Sequence, residues 1–295
     1  MEIQANMRFI PQNRTSKQAT SAIVLILALL LSCNTPDSIA RFCSSAAITL
    51  RTGDAFFDDM KASCIREART RESFGAFTVS DPNPAACSDI GNQAAGLKAA
   101  SKVISNYFSA LNDLASFGTS KAGDDAKDLL AKVSTQAKLS AAPQAALASV
   151  AGFLTRVATS AYQQKQLADD IVKVHEDIRV SLDGLGDAVG VVYLHQLQDE
   201  EKKTATRYSE FLLQHQGAAE MILVLDSRWQ SDRASVAAKQ TAALNYKAAL
   251  DTLARGNDDL AAHAHGLKAK ELPGLLSPYA AQLESLVPAI QKAFF

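Results

Sequence analysis

The spacing of apolar residues after residue 90 is the feature that most restricts the fold of this chain. Apolar side chains recur at intervals of three and four, and the strict alternation typical of half-buried strands is absent. The clearest stripe comprises Leu97, Ala100, Ile104, Tyr107, Leu111 and Leu114. Long helices with one apolar stripe are unstable alone and must bury their stripes against one another. The sequence therefore predicts an all-α protein, an elongated antiparallel bundle of about five to seven helices with coiled-coil-like packing.

The composition also favours helix and argues against one class of partner. The 295 residues include only 14 Gly and 8 Pro, which is low for this length. Lys and Arg together number 30 against 31 for Asp and Glu, so the net charge is −1. The two signs are interleaved along the chain and create no basic field. We therefore expect no nucleic-acid partner.

Glycine and proline suggest where the helices after residue 120 begin and end. One helix is expected over residues 124–139, and a longer one over 143–182, about 60 Å at the rise of an α-helix. Gly184 should cap this long helix, and Asp187 should begin the next. That next helix is expected to end near Gly217.

Two more helices are expected near the C-terminus. The first covers residues 226–268, and Ser277 with Pro278 forms a good N-cap and first-turn pair for the second. Pro288 should bend or end that last helix. The apolar run 218–225 is far too short to cross a membrane and is expected to pack in the bundle.

The helical signal is weaker before residue 90. Residues 36–71 favour a helix that is weakened at Gly53. Arginines occupy the last turns of this segment, as the C-terminus of a helix prefers. Residues 72–92 are predicted to form a loop.

The stretch from Ser21 to Cys33, SAIVLILALLLSC, is apolar but too short to span a bilayer. Basic residues precede it and small or polar residues follow, the order found in secretory signal peptides, and Met7 is as acceptable a start as Met1. Its end resembles the lipobox of bacterial lipoproteins, except that Leu31 replaces the usual small residue. The resemblance implies cleavage before Cys33 and acylation of its sulfur and amine. Two alternatives stay open: an ordinary signal cleaved near Ala40, or a retained anchor.

Three cysteines remain if Cys33 carries lipid, and an oxidising compartment allows one pair to bridge. We predict a bond between Cys64 and Cys87, because Cys64 lies in a helical segment and Cys87 ends a turn-rich stretch. Closing a loop of this length contributes about 3 kcal/mol. Cys43 would then be a buried thiol. Metal ligation is a weak alternative, because the chain has no CxxC motif and no close Cys/His cluster.

The sequence carries no recognisable motif for catalysis, a metal or a cofactor. None of the five histidines follows an acid by three residues, as di-iron bundles require. His175 begins a zincin-like stretch in which Arg179 replaces the second histidine. His263 and His265 point apart on a helix, and no GxSxG or SxxK nucleophile motif occurs. We therefore expect a protein that is not an enzyme and that uses no metal or cofactor.

Three aromatic residues, Tyr107, Tyr246 and Trp229, have two interpretations. They form a possible ligand cleft, or they are core residues, as aromatics at helical spacing usually are. The two tyrosines each begin the pattern Y-x-x-A-L-x-x-L-A. An internal duplication explains this similarity, and so do two similar core stripes in an Ala- and Leu-rich chain.

Several of these features occur together in one known group of proteins. Cys64-Ile65-Arg66, the loop with Cys87, the Y-x-x-A-L helix and the L-x-x-L-A-x-G stretch at 250–256 resemble uncharacterised helical lipoproteins of Gram-negative bacteria. The resemblance covers most of the mature chain and brings no catalytic residue. Asn34 is not the aspartate that retains lipoproteins in the inner membrane, so the resemblance implies an outer-membrane location facing the periplasm.

These observations predict a three-part chain and two possible functions. Residues 1–32 are the lipoprotein signal peptide, residues 33–93 a lipid-anchored leader with the first helix and the disulfide loop, and residues 94–295 the helical bundle. The expected function is a non-enzymatic scaffold or partner-binding module of the cell envelope. It is attached to the membrane by its lipid and binds an envelope protein. The alternative is a soluble periplasmic protein that binds a small apolar ligand in a cleft between helices.

Overall fold

The fold is taken from a computed structural model of the chain. The structure describes residues 34–72, 84–115, 120–159, 164–214, 219–266 and 272–294. The predicted signal peptide and Cys33 lie outside these residues. Within them all regular structure is helical, which confirms the all-α bundle.

Nine α-helices are formed by the described residues. They are α1 (Asn34–Thr52), α2 (Asp54–Glu72), α3 (Ser88–Ala115), α4 (Ala126–Gln136), α5 (Ala141–Thr159), α6 (Gln164–Asp187), α7 (Leu194–Gln214), α8 (Ala219–Ala262) and α9 (Leu272–Gln291). Short 3-10 helices cover Pro84–Cys87 and Ala264–Gly266, and a π-helix, Ala188–Tyr193, joins α6 to α7 without a gap. Because α1 and α2 also adjoin at Gly53, these nine segments form seven rods, in line with the sequence prediction.

The break at Gly53 has a clear steric cause. A Cβ atom at this position would lie 2.1 Å from the hydroxyl oxygen of Tyr246, which packs over the turn. Only glycine leaves room for such close contact between a backbone and a ring. The weak point predicted in the first helix is therefore confirmed as a packing site for α8.

The core is built around the predicted stripe of α3. All of that stripe is buried except Leu114, which is partly buried and packs against the core. Helix α1 packs between α3 and α9, while α6 packs against α5 and α8. Aromatic rings fill the spaces between these helices, including the edge-to-face pair of Phe42 and Phe108, whose centroids are 5.8 Å apart.

The single long helix predicted over residues 143–182 is not formed. The chain instead forms α5 and α6 here, which pack against each other. The apolar stripe continues with the same period on both helices, so periodicity alone does not reveal that the chain reverses.

The predicted break at residues 183–187 is also wrong, since helix continues through it into the π-helix. Gly184 is not a cap. A Cβ there would lie 2.8 Å from the Cβ and Cγ of Pro143, so glycine permits close packing of α5 on α6. Asp187 makes no side-chain capping hydrogen bond.

The last helix also differs from its prediction. It begins at Leu272, so both Pro278 and Pro288 lie inside it. Each proline leaves the carbonyl four residues earlier without its usual donor. Both prolines are exposed, and so are Gly274 and Glu284, which lie four residues before them. The two carbonyls can therefore be satisfied by water, which explains why the helix continues.

The first helices belong to the same core as the rest of the bundle. Phe42, Leu50 and Phe56 are completely buried in it, and Arg41 makes a two-bond ion pair with Glu284 of α9 at 2.8 and 2.6 Å. The boundary predicted at residue 93 therefore has no counterpart in the packing of the described residues. The loop predicted over residues 72–92 ends too late, because α3 begins at Ser88 and residues 88–92 are helical.

The predicted disulfide between Cys64 and Cys87 is present, with Cα atoms 5.9 Å apart. It joins α2 to the 3-10 helix before α3. Cys43 is a free, buried thiol, and burial raises its pKa. None of the described helices is both long enough and apolar enough to span a membrane.

Candidate functional site

Part of the bundle is not covered by other helices. Residues 201–214 of α7 and 219–235 of α8 include no fully buried residue, and we name them the arm. The other described residues are the body. The apolar run 218–225, expected to pack in the bundle, lies at this exposed end: Leu223 and Val224 are 71% and 70% exposed. That prediction is wrong, because among the described helices mainly α7 packs against this part of α8, with the end of α2 at its base.

A groove of about 780 Å³ lies between the two helices of the arm and the end of α2. Its lining includes six basic residues, Arg66, Arg69, Arg207, Arg228, Arg233 and Lys239, and three acidic residues, Glu200, Glu201 and Asp232. Its apolar lining consists of Tyr208, Phe211, Met221, Val224, Leu225, Trp229 and Val236. The groove is thus both apolar and positively charged.

An aromatic pair forms one wall of the groove. The rings of Tyr208 and Trp229 lie 5.4 Å apart, one from each helix of the arm. The Tyr208 hydroxyl donates a hydrogen bond to Asp232 at 3.1 Å, and burial together with the Asp232 charge raises the pKa of Tyr208. Trp229 is the single tryptophan of the chain. It is therefore a specific spectroscopic reporter of this groove.

The cations of the groove differ in how well they are neutralised. Arg228 pairs with Asp232 at 3.2 Å, and Arg233 lies 3.7 Å from Glu201. The Arg207 guanidinium has no carboxylate partner among the residues that the structure describes. Its hydrogen bond to the carbonyl of Arg69 is long, at 3.5 Å. Arg207 thus retains most of its capacity to donate.

The floor of the groove is a polar cluster that we name the root network, formed by Asp59, Ser63, Arg66, Tyr193, Glu200 and Lys239. Arg66 donates two hydrogen bonds to Asp59, both at 3.0 Å, and two to Glu200 at 2.6 and 3.1 Å. Tyr193 and Lys239 also donate to Asp59, at 2.7 and 2.8 Å. Ser63 donates to Glu200 at 2.6 Å. The network joins α2, the π-helix, α7 and α8.

The charges and pKa shifts of the root network favour a structural role over acid–base catalysis. Burial would raise the pKa of Asp59, but hydrogen bonds and charge from Arg66 and Lys239 outweigh burial and lower it. Burial would likewise lower the pKa of Arg66, and its two carboxylate partners raise it instead. Asp59 therefore stays ionised, and its two carboxylate oxygens are occupied by four hydrogen bonds. A general base needs a free lone pair and a pKa near the working pH, and Asp59 has neither.

The predicted cleft residues are not brought together. Tyr107 and Tyr246 are completely buried in the core, so the structure supports their interpretation as packing residues. The Tyr107 hydroxyl donates to Asn257 at 3.0 Å. Only Trp229, of the three, lines the groove.

The root network is not predictable from the sequence. Asp59 and Arg66 are seven residues apart on one helix and therefore share a face, which is a weak signal of pairing. Nothing in the sequence connects them with Glu200 or Lys239, more than 130 residues away. Adjacent residues of a helix point in directions about 100° apart, so Asp58 faces outward to Lys98 while Asp59 enters the network.

No group of three or more His, Cys, Asp or Glu side chains within the described ranges could hold a metal ion. The chain was also compared with family models, with curated proteins and with solved structures, and none of them matches it.

Proposed function

We propose that the protein is a lipid-anchored, non-enzymatic binding module of the cell envelope, facing the periplasm from the outer membrane. In this proposal the arm recognises an envelope protein. The body is a scaffold that holds the arm in place. The lipid on Cys33 rests on the sequence pattern alone. Phe42, nine residues after Cys33, already belongs to the buried core, so acyl chains on Cys33 would keep the body close to the bilayer.

The observation that carries this proposal is the concentration of exposed apolar side chains on the arm. Ten large apolar residues are exposed in the described part of the chain, and five of them are on the arm: Leu212, Leu213, Met221, Leu223 and Val224. Exposed apolar side chains concentrated at one end of a molecule commonly mark an interaction site. The root network supports the same role, because it fixes the two helices of the arm, at their base, to α2 and to the π-helix.

Site-specific photocrosslinking in intact envelopes tests the partner-binding function. A photoreactive residue at Leu223 should capture an envelope protein, whereas one at Leu244, which is 57% exposed on the body half of α8, should not. The two sites share a helix and a residue type, so they differ in location alone. Equal capture at both sites, or none at Leu223, would contradict the proposal.

Metabolic labelling tests the anchor separately. The protein should incorporate an alkyne-bearing fatty acid, and Cys33→Ser should abolish both labelling and partition into detergent. Labelling that survives Cys33→Ser would show that the lipid is elsewhere. A mature chain that begins at another residue and carries no lipid would refute the anchor.

A second candidate function is binding of a small apolar ligand in the groove, as a soluble periplasmic protein or an anchored one. The groove has the size and the aromatic lining typical of ligand sites, and its volume of about 780 Å³ lies in their usual range. A neutral naphthylamine dye should bind there and accept energy from Trp229. Efficient transfer from Trp229, the single tryptophan, would support binding in the groove, and dye binding without transfer would place the dye elsewhere.

A further inference from the structure

We infer that the ligand of the groove is an anionic amphiphile: a single alkyl or acyl chain that ends in a carboxylate, phosphate or sulfate. The inference rests on the second proposed function, ligand binding in the groove, and specifies the chemical class of that ligand. Arg207 binds the anionic head, and the apolar lining of the arm holds the chain.

The charge of the lining selects the sign of the head group. Six basic and three acidic side chains face the groove, so the excess is positive. The three acids are all engaged: Glu200 by Arg66, Glu201 by Arg233, and Asp232 by Arg228. A cationic ligand would therefore find no free carboxylate among these lining residues. An anionic head would instead find the open donors of Arg207, whose planar fork binds carboxylate or phosphate through two hydrogen bonds.

The arrangement of residues around Arg207 explains why the ligand is also apolar. Phe211 is four residues after Arg207 and therefore lies on the same face of α7, one turn nearer the tip. Across the groove, Leu225 and Trp229 are likewise one turn apart on α8. A head group at Arg207 thus has Trp229 beside it, and Phe211 and Leu225 on the two walls toward the tip of the arm, which is the end near Gln214 and Ala219. The extended chain of an amphiphile fits this track, whereas a free phosphate would leave it exposed to water.

The root network closes the other end of the groove to the head group. Arg66 and Lys239 are also cationic lining residues, but Asp59 and Glu200 already neutralise them at 2.6–3.1 Å. Pulling Arg66 toward a ligand would leave the buried Glu200 without its cation, and pulling Lys239 away would remove one of the two cations that neutralise Asp59. Both changes are expensive. The anionic head is therefore directed to Arg207 and not to the floor.

The experiment uses the single tryptophan of the full-length protein. Dodecanoate, dodecanol and dodecyltrimethylammonium, each below its aggregation concentration, are titrated while Trp229 fluorescence is recorded. We expect saturable binding of dodecanoate, at least about tenfold tighter than binding of the other two compounds. A charge-assisted hydrogen bond lowers a dissociation constant by about this factor. Arg207→Gln should weaken dodecanoate binding about tenfold and leave dodecanol binding unchanged.

Arg255→Gln is the matched control, since it removes an exposed arginine from the body half of α8. It should leave all three affinities unchanged, and circular dichroism should confirm that both variants are folded. Equal binding of the three compounds, insensitive to Arg207→Gln, would overturn the anionic class but keep the groove as a ligand site. No fluorescence response to any of them would overturn both the inference and the second proposed function.

Discussion

The two halves of α8 have the same backbone structure and opposite surroundings. Residues 219–235 include no buried residue, whereas thirteen residues between Val236 and Ala261 are buried. The first half is rich in large apolar side chains, and the second half is rich in alanine. Apolar content therefore does not decide which half forms the core. The number of neighbouring helices decides it: the second half packs on α1, α6 and α9, and the first half on α7.

The two halves of α8 are also held in place by different interactions. The body half of α8 is held by close-packed rings and small residues. The arm is held at its base by the root network, in which Arg66 and Lys239 neutralise Asp59 and Glu200. Packing of apolar groups is strong and independent of pH, while a network of ionised groups depends on their charge.

The largest expected effect is the loss of stability when a phenylalanine of the core is replaced by alanine, compared with the same replacement in the arm. Phe108→Ala should destabilise the protein by about 3–5 kcal/mol, because Phe108 is completely buried against Phe42 and Tyr107. Phe211→Ala in the arm should cost no more than about 1 kcal/mol, since Phe211 is only partly covered. Urea unfolding followed by circular dichroism measures both. Similar values for the two variants would mean that the arm is packed as tightly as the body.

The next largest effect concerns the disulfide, which ties the half of α2 beneath the arm to the start of α3. Replacing Cys64 and Cys87 by serine should cost about 3 kcal/mol. In the native, unreduced protein neither cysteine should alkylate, and the buried Cys43 should react only after unfolding. Free alkylation of Cys64 and Cys87 in the native state would contradict the pairing.

The root network predicts a pH dependence that the packed core lacks. The pKa of Asp59 is lowered in the folded state, so its stabilisation is complete above its unfolded pKa and is lost as the pH falls through the folded value. Asp59→Asn should cost about 2 kcal/mol at neutral pH. The stabilities of the wild type and the variant should converge below about pH 4.

Asp58→Asn is the matched control for that experiment. Asp58 is the neighbouring residue, and its side chain is 69% exposed beside Lys98. Its replacement should change the stability by less than about 1 kcal/mol, as is usual for exposed ion pairs. An equal cost for both variants at neutral pH would show that burial of Asp59 in the network has no special value.

The smallest effect is expected at the exposed end of the arm. Leu223→Ala should change the stability by less than about 0.5 kcal/mol, because Leu223 is 71% exposed. Leu250→Ala, in the buried half of the same helix, should cost about 2–5 kcal/mol. Thermal unfolding of the two variants measures this difference. A large loss of stability from Leu223→Ala would show that the tip is covered in solution.

Local sequence signals predicted the local parts of this fold. The stripe of α3 and the weak point at Gly53 each depend on a few adjacent residues. The helix end expected near Gly217 lies outside the described residues. The Cys64–Cys87 bond was also predictable, because helix and turn signals flank the two cysteines. In each case the deciding interaction lies within a short stretch of chain or follows from simple periodicity.

The predictions that failed depend on contacts between distant segments. Gly184 looked like a helix cap, but its role is to admit Pro143 from the neighbouring helix. The run 218–225 looked like core, but its described residues, 219–225, include no buried side chain. The root network joins residues from Asp59 to Lys239, and each of these charges alone resembles an ordinary surface residue. Tertiary packing sets these features, and a single sequence does not encode it in a local pattern.

The unbroken course of α8 gives the molecule a mechanical property. Its 44 residues contain no proline and a single glycine, Gly256, and span about 66 Å. It is thus one continuous rod that is buried along one half and packs mainly on α7 along the other. A force on the exposed half is resisted where the other half is held, for example at Asn257, which is hydrogen-bonded to Tyr107 and to the backbone of His175. The centre of the bundle therefore carries any load that is applied to the arm.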